Sequence, residues 1–585
     1  MKKTKIVCTL GPAVDSLDKL VALINAGMNV ARFNFSHGNH EEQLERMNLL
    51  KEARELTGQN IGILLDTKGP EIRTHLMATP IVELHKGNSI KISMQEVEGT
   101  DDMFSVTYGN LIHDVSVGGH ILLDDGLIDL LITDLDYEAG IITAEILNDG
   151  ILKSRKGVNV PNVSLKLPGI TEKDESDIKF GLEQGIDFIA ASFVRRSSDV
   201  MEIRQVLEDA GQPHVKIISK IENQEGLDNL DEILSVSDGI MVARGDLGVE
   251  IPPEVVPIEQ KQIIKKCNQA GKYVITATQM LDSMQKNPRP TRAEASDVAN
   301  AIIDGTDAVM LSGETASGEY PVEAVNTMAN ICLNTEANTL GLDSLSLKAY
   351  DKRDLSEAIG QAVGHTAKNL NINTIVAATS SGHTAMMIAK YRPNANILAA
   401  TFSEETKRSL SLAWGVEARK VRPPQSTDDM LDSASELAQQ VGFAREGDLI
   451  LITAGVPVYE SGTTNLMKIQ LIGTLLAEGE GVGIGNHIGK AVIAKTAEEA
   501  IKQMSSGSIL VTQHTDSSYN EAIMQAGALV VEEGGITSHA AIMGLECGIP
   551  VVVAAKGALE AIKSNEMITV DARRGRIYRG ATVSI

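Results

Sequence analysis

Short apolar runs that end in polar or ionisable residues recur through the first three hundred or so positions. Lys5–Leu10 stops at Gly11-Pro12, Asn29–Phe35 carries Arg32 and Asn34 into Ser36, and Ile61–Leu65 ends in Asp66, Thr67 and Lys68. Asp187–Phe193 leads into Val194-Arg195-Arg196, and Val215–Ile221 carries Lys220 and is followed by Glu222. Gly239–Ala243 leads into Arg244, Gly245 and Asp246, Tyr273–Ala277 into Thr278 and Gln279, and Ala308–Leu311 into Ser312, Gly313 and Glu314. Runs this short predict buried strands rather than helices. Helical patterns such as Ser16–Ala26, Glu41–Thr57 and Glu259–Ala270 separate most of them. The alternation predicts a (β/α)8 barrel, an α/β architecture whose active site lies at the carboxyl ends of the strands. Lys220 and Glu222 stand two apart and so share one face of their strand.

The pattern changes after Lys68-Gly69-Pro70. From Glu71 to Pro161 short alternating runs are split by turn signals such as Asp124-Asp125-Gly126 and Asn148-Asp149-Gly150. This predicts a small β-barrel domain of hairpins, inserted as a lid between two parts of the barrel. The division expected is barrel 1–70, lid 71–161, barrel 162–342, an α/β domain 343–474, a linker 475–489 and a further α/β unit 490–585. Asn338–Asp354 is polar and reads as a connection. Leu355–Leu370 reads as a helix, and Thr374–Ala378, Ile397–Ala400 and Leu449–Thr453 as strands of an open, mostly parallel sheet. Glycines between Glu478 and Gly489 read as a flexible linker rather than as a dinucleotide fingerprint, because Gly483-Ile484-Gly485 lacks a preceding strand.

Length and charge narrow the class. The chain has 585 residues, a formal charge of -25 and an ordinary apolar share of 43%, enough for large cores. The acidic balance argues against a nucleic-acid or anionic-membrane partner. Cys8, Cys267, Cys332 and Cys547 lie far apart with no metal spacing, as in reduced thiols of a cytoplasmic protein. The apolar run after Lys2-Lys3 is too short for a leader, and none reaches membrane-spanning length.

Glu222 and Asp246 end consecutive predicted strands. Two carboxylates at a barrel mouth suit Mg²⁺ or Mn²⁺, although Asp246 equally suits a helix start. Asn34, Ser36, Asp66 and Thr67 form a second oxygen-rich set, suited to a monovalent cation or to turn hydrogen bonds. Arg32, Arg73, Lys156 and Lys220 bring positive charge to the same mouth. Glu314, Gln279 and Arg292 fit the site or a structural network. Metal carboxylates, convergent cations and a lid together point to phosphoryl transfer, and no Walker A sequence is present.

The segments MNVARFNFSHG (28–38), LDTKGPEIRT (65–74), IISKIEN (217–223), MVARGDLGVE (241–250), TATQML (276–281) and MLSGETASGEYP (310–321) resemble the pyruvate kinase family, and the likeness extends to about Gly473. The resemblance implies transfer of phosphate from phosphoenolpyruvate to ADP, the last step of glycolysis. It implies Lys220 as the residue stabilising the transferring phosphoryl group and the forming enolate, and Glu222 and Asp246 as holders of the divalent ion. Arg32 then contacts the substrate phosphate, and Gly245, Asp246 and Thr278 its carboxylate. Asn34, Ser36, Asp66 and Thr67 match a potassium site, and Glu71 the acidic variant of potassium-dependent members. Arg73, Lys156 and His37 match nucleotide positions, which bring a second Mg²⁺. Thr278 and Ser312 are candidates for protonating the enolate. In the family the region of Thr379, Ser380, Ser381, Gly382, His383 and Thr384 binds an allosteric effector. His383 departs from a frequent arginine there, which leaves ribose 5-phosphate, AMP and fructose 1,6-bisphosphate open. A homotetramer is the usual assembly.

The tail carries a second resemblance. Glu533-Gly534-Gly535-Ile536-Thr537-Ser538-His539-Ala540-Ala541-Ile542, followed by Gly548-Ile549-Pro550-Val551, is similar to the phosphohistidine domain of phosphoenolpyruvate synthase and pyruvate phosphate dikinase. That makes His539 a candidate phosphoacceptor, against a retained domain that supports assembly or stability. Two other readings remain. One is a metal-dependent enolate lyase or aldolase; the other is a non-catalytic phosphate sensor or carrier built around His539 and the 379–384 loop.

Overall fold

The computed structural model describes residues 1–339, 355–456 and 464–581. Two compact units emerge. The first holds 1–357, 380–392 and 401–420; the second holds 358–379, 393–400 and 421–585.

In the first unit eight parallel strands close a barrel. They are β1 (Lys5–Thr9), β2 (Val30–Asn34), β3 (Gly62–Asp66), β4 (Phe188–Ala191), β5 (Lys216–Ile221), β6 (Gly239–Ala243), β7 (Tyr273–Ala277) and β8 (Ala308–Leu311). Their order round the ring is β1-β8-β7-β6-β5-β4-β3-β2. Side-chain alternation explains why apolar runs can end in chemistry. Ile6, Ile63, Leu65, Ile217, Ile240 and Val242 are buried in one cluster with the surrounding helices. The intervening positions point inward, and near the strand ends these are Arg32, Asp66, Ser192 and Lys220. Register aligns them: Asn34 lies opposite Asp66 across β2 and β3, and Asp66 opposite Ala190 across β3 and β4.

The insertion after β3 forms a seven-stranded sheet and a two-stranded sheet over its own apolar core. An isolated bridge from Thr74 to Val106 joins the edge strands Ile72–Arg73 and Met103–Ser105. One pairing, Ser89–Ser93 with Met103–Ser105, is parallel, so the sheet is not built of hairpins alone. The chain then re-enters the barrel through helix Glu172–Gln184, whose first turn is closed by a Thr171–Asp174 capping box.

In the second unit Thr374–Ala378 lies between the parallel strands Asn396–Thr401 and Leu449–Ala454. An antiparallel strand, Leu466–Leu471, follows on the edge. The sequence pattern did not predict it, because its residues are only partly buried and alternate weakly. The connection expected over 338–354 lies mostly outside the described residues.

The linker expected at 475–489 is corrected by the structure. Leu475–Glu478, Glu480–Val482 and the start of Asn486–Ile493 are strands of an eight-stranded sheet with Ser508–Thr512, Ala526–Val531, Val551–Val553, Met567–Asp571 and Arg576–Arg579. The glycines there serve close packing. A Cβ at Gly481 would sit 1.8 Å from the Ala572 carbonyl oxygen, and one at Gly479 2.3 Å from that of Val553. Both faces of this sheet are buried: Leu510, Leu529 and Val551 belong to one core, and Ile509, Val530 and Val552 to the other.

Candidate active site

Polar side chains from β2 to β6 converge on a cavity of about 660 Å³ at the barrel mouth. Arg32 is fixed inside it, with Nε 2.5 Å from Asp66 Oδ2 and one Nη donating to Thr9 Oγ1 at 2.8 Å. Lys220 Nζ lies 3.3 Å from Asp66 Oδ1, 2.9 Å from Glu222 Oε1 and 2.9 Å from Ser192 Oγ. Asp66 is 1% exposed and so pairs with both cations out of water. Burial alone would raise its carboxyl, but Arg32 and Lys220 outweigh it and hold the group below the usual carboxylate range. For Lys220 burial opposes the charge, yet Asp66 and Glu222 prevail and keep the ammonium protonated well above the ordinary lysine range.

Glu222 behaves differently. Burial lifts its carboxyl to about 7, Lys220 offsets part of that, and Asp246 adds to the rise. Its Oε2 accepts the Phe193 N–H at 2.6 Å. Its Oε1, although close to Lys220, makes no hydrogen bond among the described residues. That oxygen is paired with Lys220 by charge alone, and with a second carboxylate from Asp246 lining the same cavity the two acidic groups suit a divalent cation. Among the described residues no group of three or more His, Cys, Asp or Glu side chains gathers to hold a metal.

Asn34, Ser36, His37 and Arg73 line the same cavity. Asn34 Oδ1 accepts the Ser36 N–H at 3.0 Å, which shapes the turn after β2. Thr67 does not line the cavity; it is buried, and its hydroxyl donates to Ala190 O at 3.3 Å and accepts from the Ser192 N–H at 3.1 Å. Arg73 Nε pairs with Glu71 at 2.5 Å, and Lys156 Nζ with Asp124 at 2.8 Å. Lys156 lines a second cavity of about 580 Å³, shared with Arg73 and Asp246.

Gly245 and Thr278 border a third space, again shared with Asp246. The Gly245 N–H donates to Thr278 Oγ1 at 2.8 Å, and Thr278 Oγ1 donates to Ala277 O at 2.7 Å. Thr278 and Gln279 both take left-handed backbone, φ 67° and 55°. That is costly for a β-branched residue and common where function constrains a strand end. Asp246 sits in the first turn of helix Arg244–Glu250. Ser312 lines none of these cavities; its buried Oγ has no partner among the described residues. Glu314 holds structure, accepting the Leu281 and Ser312 N–H groups at 3.0 and 2.7 Å.

Ser192, Thr9 and Asp174 were not singled out from the sequence. Ser192 continues the inward alternation of β4, the same signal that marked Lys220 and Glu222. Thr9 is the inward-facing last residue of a strand read as purely apolar.

In the 379–384 segment Thr379 N–H donates to Ala400 O at 3.0 Å, and Ser380 O accepts from Thr406 Oγ1 at 2.7 Å. Gly382, at φ 87°, caps the seven-residue helix His383–Ala389. In the tail His539 begins helix His539–Cys547, with Nδ1 3.0 Å from Thr515 Oγ1 and Nε2 3.1 Å from Asn520 Oδ1. Both ring nitrogens therefore lie within hydrogen-bond distance of a polar side-chain atom.

Residues 1–325 match the family model "Pyruvate kinase, barrel domain" and 357–470 "Pyruvate kinase, alpha/beta domain". The chain belongs to the pyruvate kinase family. A pyruvate kinase of Geobacillus stearothermophilus is 59% identical over 580 residues, 99% of each chain. Those of Bacillus licheniformis and Staphylococcus aureus are 58% and 55% identical over 581 residues, again 99% of each chain. The solved pyruvate kinase of Cryptosporidium parvum is 40% identical, with a TM-score of 0.76, and covers 80% of this chain and 96% of its own. Residues 504–575 match "PEP-utilising enzyme, mobile domain", so the tail is a further module on the kinase. No described helix is long and apolar enough to cross a membrane.

Proposed function

We infer that the barrel mouth transfers the phosphoryl group of phosphoenolpyruvate to ADP, giving pyruvate and ATP. The observation that carries this reading is the buried cluster in which Asp66 fixes Arg32 and Lys220 beside the carboxylate of Glu222. Arg32, prevented from swinging, suits the substrate phosphate. Lys220, kept charged, neutralises the oxygens of the group in transit and of the enolate left behind. The P–O bond to the enol breaks, a bond to the terminal ADP oxygen forms, and the enolate takes a proton at its methylene carbon. Thr278 and Ser312 are the candidate residues on that proton's path. Glu222 and Asp246 would hold Mg²⁺ or Mn²⁺, which supplies Lewis-acid charge neutralisation when bound. Asn34, Ser36, Asp66 and Thr67 would hold K⁺. Arg73, Lys156 and His37 would serve the nucleotide. Turnover that requires ADP, a divalent ion and K⁺ supports the reading. Consumption of phosphoenolpyruvate without ADP would instead support a lyase.

The 379–384 segment is proposed to take a sugar-phosphate or nucleotide effector in a homotetramer, on the strength of its backbone N–H groups and hydroxyls after a strand. Titration with ribose 5-phosphate, AMP and fructose 1,6-bisphosphate tests it; no change in apparent affinity for phosphoenolpyruvate with any of them would remove it. The tail is proposed to support stability or assembly rather than turnover, since both His539 ring nitrogens are already hydrogen-bonded. On that reading His539→Ala is expected to keep turnover within about twofold. Loss of turnover in that variant, with ³²P appearing on His539 of the unmodified chain, would favour the carrier reading.

A further inference from the structure

The lid is tied to the barrel by two connections, one leaving at Lys68-Gly69-Pro70 and one returning before helix Glu172–Gln184. Both end on a single carboxylate. Asp174 is 0% exposed. Its Oδ2 accepts the Thr171 N–H at 2.9 Å and the Thr171 hydroxyl at 2.6 Å, on the returning connection. Its Oδ1 accepts the Gly69 N–H at 3.0 Å, on the outgoing one. A capping box accounts for Oδ2 alone. It does not account for the second oxygen reaching 105 residues back along the chain.

Gly69 is itself wedged against the site. Its φ is 73°, and a Cβ there would lie 2.8 Å from Ser192 Cβ. Ser192 Oγ is the atom 2.9 Å from Lys220 Nζ. The same helix turn also holds the loop after β2. Lys173 Nζ donates to Phe35 O at 2.9 Å and to Asp177 Oδ2 at 2.5 Å, and Asp177 Oδ1 lies 2.7 Å from His40 Nε2. Phe35 sits between Asn34 and Ser36, so one helical turn sets the level of that loop and of both lid connections.

We propose that Asp174 is the positioning residue of the lid: it pins both connections, and through them sets where Arg73 and Lys156 meet the barrel mouth. The inference rests on the functional reading above only in assigning those two side chains to the nucleotide. Charge-assisted hydrogen bonds from buried backbone N–H groups are strong, so their loss frees the connections before it touches the barrel.

The test is backbone hydrogen exchange on the full chain, comparing wild type, Asp174→Asn and Thr171→Val, with kinetics alongside. In Asp174→Asn, where an amide NH₂ replaces one acceptor, exchange over 67–73 and 160–171 is expected to rise about tenfold or more while the barrel strands keep their protection. KM for ADP rises about tenfold, and KM for phosphoenolpyruvate stays within about twofold. Thr171→Val, which leaves the Gly69 contact intact, speeds exchange on the returning connection alone. Unchanged exchange in both connections overturns the proposal, as does a rise spread across the barrel. If Asp174→Asn does not fold, Thr171→Val is read on its own: faster exchange over 160–171 with 67–73 unchanged supports the pin, and unchanged exchange over 160–171 overturns it. Absence of turnover in wild type would count against the functional reading, and the exchange result would still decide the pin.

Discussion

Replacing Lys220 by methionine is expected to lower kcat by on the order of 10² to 10³ or more while the chain stays folded. Methionine keeps the length of the side chain and removes only the charge that Asp66 and Glu222 hold in place. Asp66 retains Arg32 as a partner, and Glu222, whose carboxyl is already raised to about 7, can take up a proton. These two outlets spare the variant much of the about 3–5 kcal/mol usually lost when a buried ion pair is broken. Lys220→Arg should rescue little, because a planar guanidinium cannot occupy the point between Asp66, Ser192 and Glu222. Steady-state assay with a melting curve separates the two quantities. A kcat within a few-fold of wild type in a folded Lys220→Met protein would remove Lys220 from the chemistry.

Glu222→Gln is expected to weaken divalent-ion activation and cost on the order of 10³ in rate at fixed metal, the scale of several kcal/mol of transition-state charge stabilisation. The pH dependence follows from the direction of the shift. Burial holds the Glu222 carboxyl at about 7, so protons compete with the metal below that pH. Apparent metal affinity therefore falls by up to about tenfold per pH unit below 7 and is flat above it. For the ion-free protein the folded pKa lies above the unfolded one, so this group's share of stability is lost as pH rises from the ordinary carboxylate range through 7. Mn²⁺ should accordingly raise Tm more at pH 8 than at pH 6. Equal stabilisation at both, or a Glu222→Gln variant that keeps the pH dependence, would show that Glu222 does not hold the ion.

The barrel was legible because its strands are short apolar runs that end in, or lead directly into, polar residues. That pattern gave the eight strands and brought Arg32, Asp66, Lys220, Glu222 and Asp246 to one mouth. What it could not give was pairing between distant residues. Asp174 reads as an ordinary capping residue until Gly69 is seen on its other oxygen. Ser192 reads as the small residue at the end of a strand until it meets Lys220. Thr67 follows Asp66 at the end of β3, and the engagement of its hydroxyl with the β4 backbone is a pairing the sequence does not display. The stretch 475–489 failed for a related reason. Its glycines look like linker composition, but they let edge strands approach the Ala572 and Val553 carbonyls, and that closeness is set by partners some 75 to 90 residues away.

The most direct test of the account is ³¹P NMR of the full chain with phosphoenolpyruvate, ADP, Mg²⁺ and K⁺. The account predicts that the phosphoenolpyruvate resonance declines as the γ-phosphate of ATP grows in equal amount, with both changes halted by withholding the divalent ion. Phosphate that stays on phosphoenolpyruvate under every cation condition, or that appears as inorganic phosphate instead of ATP, would contradict it.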